Sequence, residues 1–131
     1  MPRFAANLGW MLQEVPMLER FQLAHALGFK AVECPLPYDF APQDLADACQ
    51  AAGLEFIMLN APPGDMKQGE YGIAGLAGRE SEFRDSIGLA LDYATTLNSP
   101  FIHVLAGIVP AGESIERCRD LYCENLAWAA D

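Results

Sequence analysis

Gly28-Phe29-Lys30-Ala31-Val32-Glu33 and Gly53-Leu54-Glu55-Phe56-Ile57-Met58 decide the fold. Each runs from a glycine that can end a helix into a short β-type stretch, and together they form a weak internal repeat that marks successive βα units. The same alternation continues on both sides. Upstream, Phe4-Ala5-Ala6-Asn7-Leu8 reads as a strand, and Pro16 at a first helical position opens a helix with Met17, Phe21 and Ala24 on one face. Between the repeats, the strand Ala31-Val32-Glu33-Cys34 precedes Pro42 and a helix whose apolar stripe is Leu45, Ala48, Cys49 and Ala52. Downstream, Phe56 to Asn60 is a third strand, and Phe83, Ile87, Ala90, Leu91, Ala94 and Leu97 form the stripe of a third helix. Glu80 and Glu82 in that helix's first turn suit the positive end of its dipole. Phe101-Ile102-His103-Val104-Leu105 is the fourth strand, and Ser114 caps a last helix built on Ile115, Cys118, Leu121 and Tyr122.

Short apolar strands alternating with amphipathic helices predict an α/β domain over residues 1–131: a parallel sheet in order 1-2-3-4, with right-handed crossovers and helices on one side. Pattern alone leaves open a small open sheet or half of an eight-unit barrel, which takes ~250 residues. The ending Asn125-Leu126-Ala127-Trp128-Ala129-Ala130-Asp131 has no glycine stop and no polar tail, so the chain is expected to be cut before a fifth strand.

With 131 residues, 52% of them hydrophobic and 20% charged, the chain can bury a sizeable core. Its 18 acidic side chains against 8 basic ones give −10, which disfavours nucleic-acid phosphates and anionic membrane surfaces as partners. No apolar run approaches the ~18 residues of a membrane span or forms a signal-peptide core, so the expected compartment is the cytoplasm. Cys34, Cys49, Cys118 and Cys123 contain no Cys-x-x-Cys pair and read as reduced, small core residues rather than metal ligands.

In parallel α/β sheets, chemistry is sought at the carboxyl ends of the strands. Asn7, Glu33, Asn60 and His103 are the polar residues at or near those ends, each in an otherwise apolar run. A carboxylate such as Glu33 costs several kcal/mol at the end of a buried strand unless it is paired or solvated. These four are expected to converge on one rim. The segment Ala61 to Gly78 is longer than the ~2–6 residues usual for a βα loop and reads as an active-site lid, with Gly64, Asp65 and Glu70 arching over the rim. It is not a phosphate loop, because Glu70-Tyr71 stands where Lys-Ser or Lys-Thr is required. Gly9-Trp10-Met11-Leu12 lacks the dinucleotide glycine spacing. Arg79, closing the segment at a helix start, suits a small carboxylate substrate, whereas His25 reads as surface.

Several of these stretches resemble the hydroxypyruvate isomerase family: Arg3-Phe4-Ala5-Ala6-Asn7-Leu8, Gly28 to Glu33, Asn60-Ala61-Pro62-Pro63-Gly64-Asp65 and Gly78-Arg79-Glu80-Ser81-Glu82-Phe83-Arg84. Ile102-His103-Val104-Leu105-Ala106-Gly107 and Glu124-Asn125-Leu126 extend the likeness along the whole chain. The resemblance implies four consecutive βα units of a xylose-isomerase-like (β/α)8 TIM barrel, its N-terminal half. It also implies interconversion of hydroxypyruvate and tartronate semialdehyde through an enediolate.

In that family the metal-binding and proton-transferring carboxylates come from strands five to eight. The resemblance therefore implies no catalytic residue and no metal ligand on this chain, which would be inactive alone. Asn7, Glu33, Asn60, Gly64, Asp65, Glu70, Arg79 and His103 would be substrate-binding positions for a small hydroxy-oxo acid. A divalent magnesium or manganese ion would belong to the full-length enzyme. Met66 stands where many relatives have Trp, and Tyr71 where Gly-Glu-Arg-Gly is common, so 2-oxo-tetronates or other sugar substrates of related isomerases and epimerases stay open. A reading from a different class is a non-catalytic half-barrel that self-associates through its open sheet edges.

Overall fold

The computed structural model describes residues 2–131. Its elements alternate as β1 (Ala5–Asn7), α1 (Met17–Ala26), β2 (Ala31–Glu33), α2 (Pro42–Ala51), β3 (Glu55–Asn60), α3 (Glu80–Leu97), β4 (Phe101–His103) and α4 (Ile115–Ala130), with a 3₁₀ turn at Met66–Gln68. The four strands form one parallel sheet in the order β1-β2-β3-β4, as the alternation requires. Most strands are shorter than the apolar runs: Phe4, Leu8, Cys34, Val104 and Leu105 lie outside them. Main-chain bonding continues slightly further, since Leu8 N–H donates to the Glu33 carbonyl at 2.8 Å and Cys34 N–H to the Met58 carbonyl at 3.2 Å.

Local signals set the helix starts. Pro42 occupies the first turn of α2, where its missing N–H has no partner to lose. Pro16 instead precedes α1, a correction to its expected place, because its ψ of 151° is extended rather than helical. The Ser114 hydroxyl accepts from Arg117 N–H at 3.2 Å and caps α4.

The chain divides into two compact units. The first comprises Met1–Asn60 and Leu91–Ile102. Within it α1 packs on α2, and Ala6, Phe21, Val32, Leu45, Phe56 and Leu59 are buried. Each large side chain among them contributes about 1.5–3 kcal/mol by leaving water. The β2–β3 register runs Val32 to Phe56 and then Glu33 to Met58, so Ile57 is an extra residue on β3. This β-bulge shifts the alternation: Phe56 and Leu59 are buried, whereas Ile57 and Met58 are half-buried. Leu91 departs from its expected place in the α3 stripe. It is 49% exposed, because it borders an open groove of about 1110 Å³ lined also by Asp47, Ile57 and Ile102.

The second unit comprises Ala61–Ala90 and His103–Asp131, with Ala61, Ile73, Ala74, Phe83, Ile87 and Ala90 buried. The Trp128 ring meets Phe83 edge-on at 6.2 Å and carries the Arg84 guanidinium 5.0 Å from its centroid, joining α4 to the start of α3. Ile115 is exposed, contrary to the stripe reading. Cys118 is half-buried and Cys123 exposed, so the core reading of the cysteines fits Cys34 and Cys49 alone. Burial pushes both of those thiols up to about 11. Among the described residues no helix is long and apolar enough to cross a membrane.

Candidate functional site

In the first unit, strand pairing sets Asn7 directly beside Glu33. Paired residues of adjacent strands share a face, so the two side chains meet: Asn7 Nδ2 donates to Glu33 Oε1 at 2.7 Å. Gly9 N–H donates to Asn7 Oδ1 at 3.0 Å, which fixes the amide's orientation from the other end. A Cβ on Gly9 would lie 3.1 Å from Pro35 Cδ and 3.3 Å from Asn7 Oδ1, so glycine there permits the tight approach. Arg20 donates to the carbonyls of Leu8 at 2.7 Å and Val15 at 3.1 Å, bracing the connection between β1 and α1.

Asn60 ends the bulged strand. Its N–H donates to the Pro35 carbonyl at 2.9 Å, and its carbonyl accepts from the Tyr38 hydroxyl. Tyr38 packs edge-on to Tyr93 with ring centroids 4.9 Å apart, and the Tyr93 hydroxyl donates to the Phe40 carbonyl at 2.8 Å. Burial, first of all, holds the Tyr38 hydroxyl well above its ordinary value, so it remains a donor.

The second unit holds the glycine-rich segment, which is an ordered loop. Gly72 N–H donates to the Pro63 carbonyl at 2.9 Å, closing residues 63–72 into an Ω-loop. Inside it Asp65 accepts from Lys67 N–H and Gln68 Nε2, each at 2.9 Å, and so caps the 3₁₀ turn. Glu70 Oε2 accepts from Asp65 N–H at 2.6 Å. Arg79 donates to both Glu70 oxygens, at 2.8 and 3.2 Å, and to both oxygens of Glu82 through Nε and Nη2. The Arg79 guanidinium, then the Asp65 N–H, hold the Glu70 carboxyl down at about 2. Glu82, then Glu70, keep Arg79 firmly charged.

Beyond the Ω-loop, Gly72 bridges Ala106 in an antiparallel contact. Gly75 N–H donates to the Ala106 carbonyl at 2.6 Å. A Cβ on Gly72 would fall 2.4 Å from the Leu105 carbonyl oxygen, so this crossing requires glycine. Buried Asn125 donates Nδ2 to the Ala74 carbonyl at 2.8 Å, and the Tyr122 hydroxyl donates to the Val104 carbonyl at 2.9 Å. The His103 side is exposed, and its carbonyl accepts from Ala61 N–H at 2.9 Å. His25 is exposed as expected.

The structure thus brings Asn7 to Glu33, and Gly64, Asp65, Glu70 and Arg79 to one another. The two carboxylates are held differently. Glu33 is bonded through one oxygen by a neutral amide, whereas both Glu70 oxygens are committed to charged or main-chain donors. Sequence reading missed Tyr38 altogether and gave Tyr122 and Asn125 no hydrogen-bonding role; Tyr122 is read there only as a stripe residue of the last helix, and Asn125, four residues past Leu121, falls on the same stripe. Among the described residues no group of three or more His, Cys, Asp or Glu could hold a metal ion. The donors do not fit one: Glu70 is already neutralised by Arg79, and Glu33 faces an amide donor.

The sequence profile described as Xylose isomerase-like TIM barrel matches residues 21–131. The chain is 50% identical over all 131 residues to a 2-oxo-tetronate isomerase of Cupriavidus necator, covering 50% of that protein. It is 41% identical over 131 residues to the hydroxypyruvate isomerase of Escherichia coli, covering 51% of it. A crystal structure described as an AP endonuclease, family 2, from Brucella melitensis superposes with a TM-score of 0.96 at 45% identity, over all of this chain and 50% of that one. The chain therefore spans about half the length of the relatives it matches.

Proposed function

The chain belongs to the xylose isomerase-like TIM barrel family, and from that premise we propose that it carries substrate-side groups of an aldose–ketose type isomerase acting on hydroxypyruvate. Its relatives' names supply the substrate class. In this reading a base removes a proton from C3 of hydroxypyruvate, the enediolate spreads its charge over the two oxygens, a proton returns at C2, and the hydroxyl proton passes from O3 to O2. The carbonyl moves from C2 to C3, giving tartronate semialdehyde with no other reactant. The observation that carries the reading is the Asn7–Glu33 pair, a carboxylate aimed by an amide at adjacent strand ends.

In the first unit Asn7, Glu33 and Asn60 are the proposed substrate-binding groups. In the second they are Gly64, Asp65, Glu70, Arg79 and His103, with Glu70 and Arg79 acting by shaping the loop. The base, and a magnesium or manganese ion if the full-length enzyme uses one, lie outside the described residues. The cytoplasm is the proposed location. The nucleic-acid activity in the Brucella neighbour's name is not carried over, because a net charge of −10 gives phosphate no electrostatic footing.

A 2-oxo-tetronate is the alternative substrate, favoured by the 50% identity to an enzyme of that name. The test joins this chain to the half of the Cupriavidus relative that it does not cover and assays hydroxypyruvate and 2-oxo-tetronate in parallel. Turnover of hydroxypyruvate supports the leading reading, turnover of 2-oxo-tetronate alone supports the alternative, and turnover of neither overturns both. Self-association is proposed as well, since β1 and β4 each have a sheet neighbour on one side only. Light scattering at micromolar concentration should give the mass of a dimer or larger; a monomer's mass contradicts it.

A further inference from the structure

The loop-shaping role proposed for Glu70 and Arg79 rests on a fastening inside Pro63–Gly72 whose geometry stands apart from any substrate. Asp65 N–H points at Glu70 Oε2 at 2.6 Å, and Arg79 grips both oxygens of the same carboxylate. The arrangement excludes a side chain at Gly64: a Cβ there would stand 2.3 Å from Glu70 Oε2 and 3.0 Å from Ile73 Cγ2, and Gly64 has a φ of +92° that L side chains rarely adopt. Arg79 in turn is anchored on Glu82, one residue into the first turn of α3 beyond Glu80 and Ser81. The chain of contacts therefore runs from the start of a helix, through a guanidinium and a carboxylate, to one main-chain N–H inside the loop.

We propose that Glu70 is a positioning residue for the Gly64–Asp65 main chain, forming with Arg79 a pin that keeps the Pro63–Gly72 loop in a single preformed shape, a fixed wall rather than a moving lid. A loop that closes over a ligand needs groups that exchange partners. Here both Glu70 oxygens are taken, and the Arg79 fork spans two carboxylates at once. Glycine at Gly64 then serves the pin, because it leaves room for the carboxylate to reach the Asp65 N–H.

The pin can be read by proton–nitrogen NMR on the 131-residue chain without substrate, so its failure and failure of the isomerase reading are separate results. In the wild-type chain the Asp65 amide proton, bonded to a carboxylate, is expected downfield of the Gly72 amide proton, which is bonded to a neutral carbonyl, and to exchange slowly. Glu70→Gln should move it upfield and speed its exchange at least tenfold, while the amides of Leu8 and Cys34 keep their protection. Gly64→Ala should produce the same local pattern without removing a charge. An Asp65 amide already at an ordinary loop position in the wild-type chain overturns the proposal even if no variant folds. So does a folded Glu70→Gln chain whose Asp65 amide is unmoved.

Discussion

Glu33 and Glu70 are both half-buried carboxylates next to loops, yet the chain holds them by opposite means. Glu33 sits on a parallel ladder and takes one hydrogen bond from the Asn7 amide, leaving Oε2 outside that bond. Glu70 sits in a glycine-rich loop with no ladder, and both its oxygens are gripped by Arg79 and the Asp65 N–H. Where the sheet supplies rigidity, the carboxylate is held through one oxygen alone. Where no sheet is present, the carboxylate itself supplies the rigidity and is consumed in doing so. This difference, rather than the presence of a carboxylate, separates a group with an oxygen outside its hydrogen bond from one whose two oxygens both fasten its loop.

The largest effect is expected in the packed core of the first unit. Phe21 is fully buried in the first unit, so Phe21→Ala should cost about 3–5 kcal/mol in urea unfolding. A loss below about 1 kcal/mol would mean that this frame does not rest on packing. On the loop side, Gly64→Ala should cost about 1–3 kcal/mol from its positive φ, before any displacement of Glu70 is counted. Asn125→Ala leaves the Ala74 carbonyl without its buried donor and should cost about 1–2 kcal/mol; thermal unfolding of the two variants ranks them.

The pH effect is smaller and has a definite sign. Glu70 titrates at about 2 in the folded chain against an ordinary 4.5. A lowered carboxyl contributes stability that is complete above the ordinary value and is lost as the pH falls through the folded one. The stability gap between wild type and Glu70→Gln should therefore close between about pH 4.5 and 2. A gap that stays constant across that window would show that the ion pair adds nothing of its own. Least costly is thiol modification at pH 7.5: exposed Cys123 should react with iodoacetamide, while buried Cys34 and Cys49, with thiols pushed up to about 11, should not.

What could be read in the sequence follows from the range of the forces. Pro42 and Ser114 act within one turn, and both stand where their chemistry placed them. The strand ends Asn7 and Glu33 were legible because polar residues interrupt apolar runs. The bulge at Ile57 was not: Phe56, Ile57, Met58 and Leu59 are all apolar, so a shift of phase leaves no trace in the pattern. Leu91 and Ile115 fit their helical stripes yet are exposed, because periodicity names a face without saying how far the neighbour beneath it extends. The Glu70–Arg79 pairing was hidden for a similar reason. Arg79 is nine residues from Glu70 across a loop, and no local rule pairs the two.

As proposed, Glu33 is a substrate-side group, and the base comes from outside residues 1–131. Purified 131-residue chain assayed with hydroxypyruvate, with and without magnesium or manganese, beside its Glu33→Gln variant decides between these roles. No turnover is expected from either chain alone. Turnover is expected once the chain is joined to the half of a relative that it does not cover, with Glu33→Gln lowering but not abolishing that activity, since a general base is worth about 10²- to 10⁴-fold and Glu33 is not the base. Turnover by the isolated wild-type chain that vanishes on Glu33→Gln would instead make Glu33 the base.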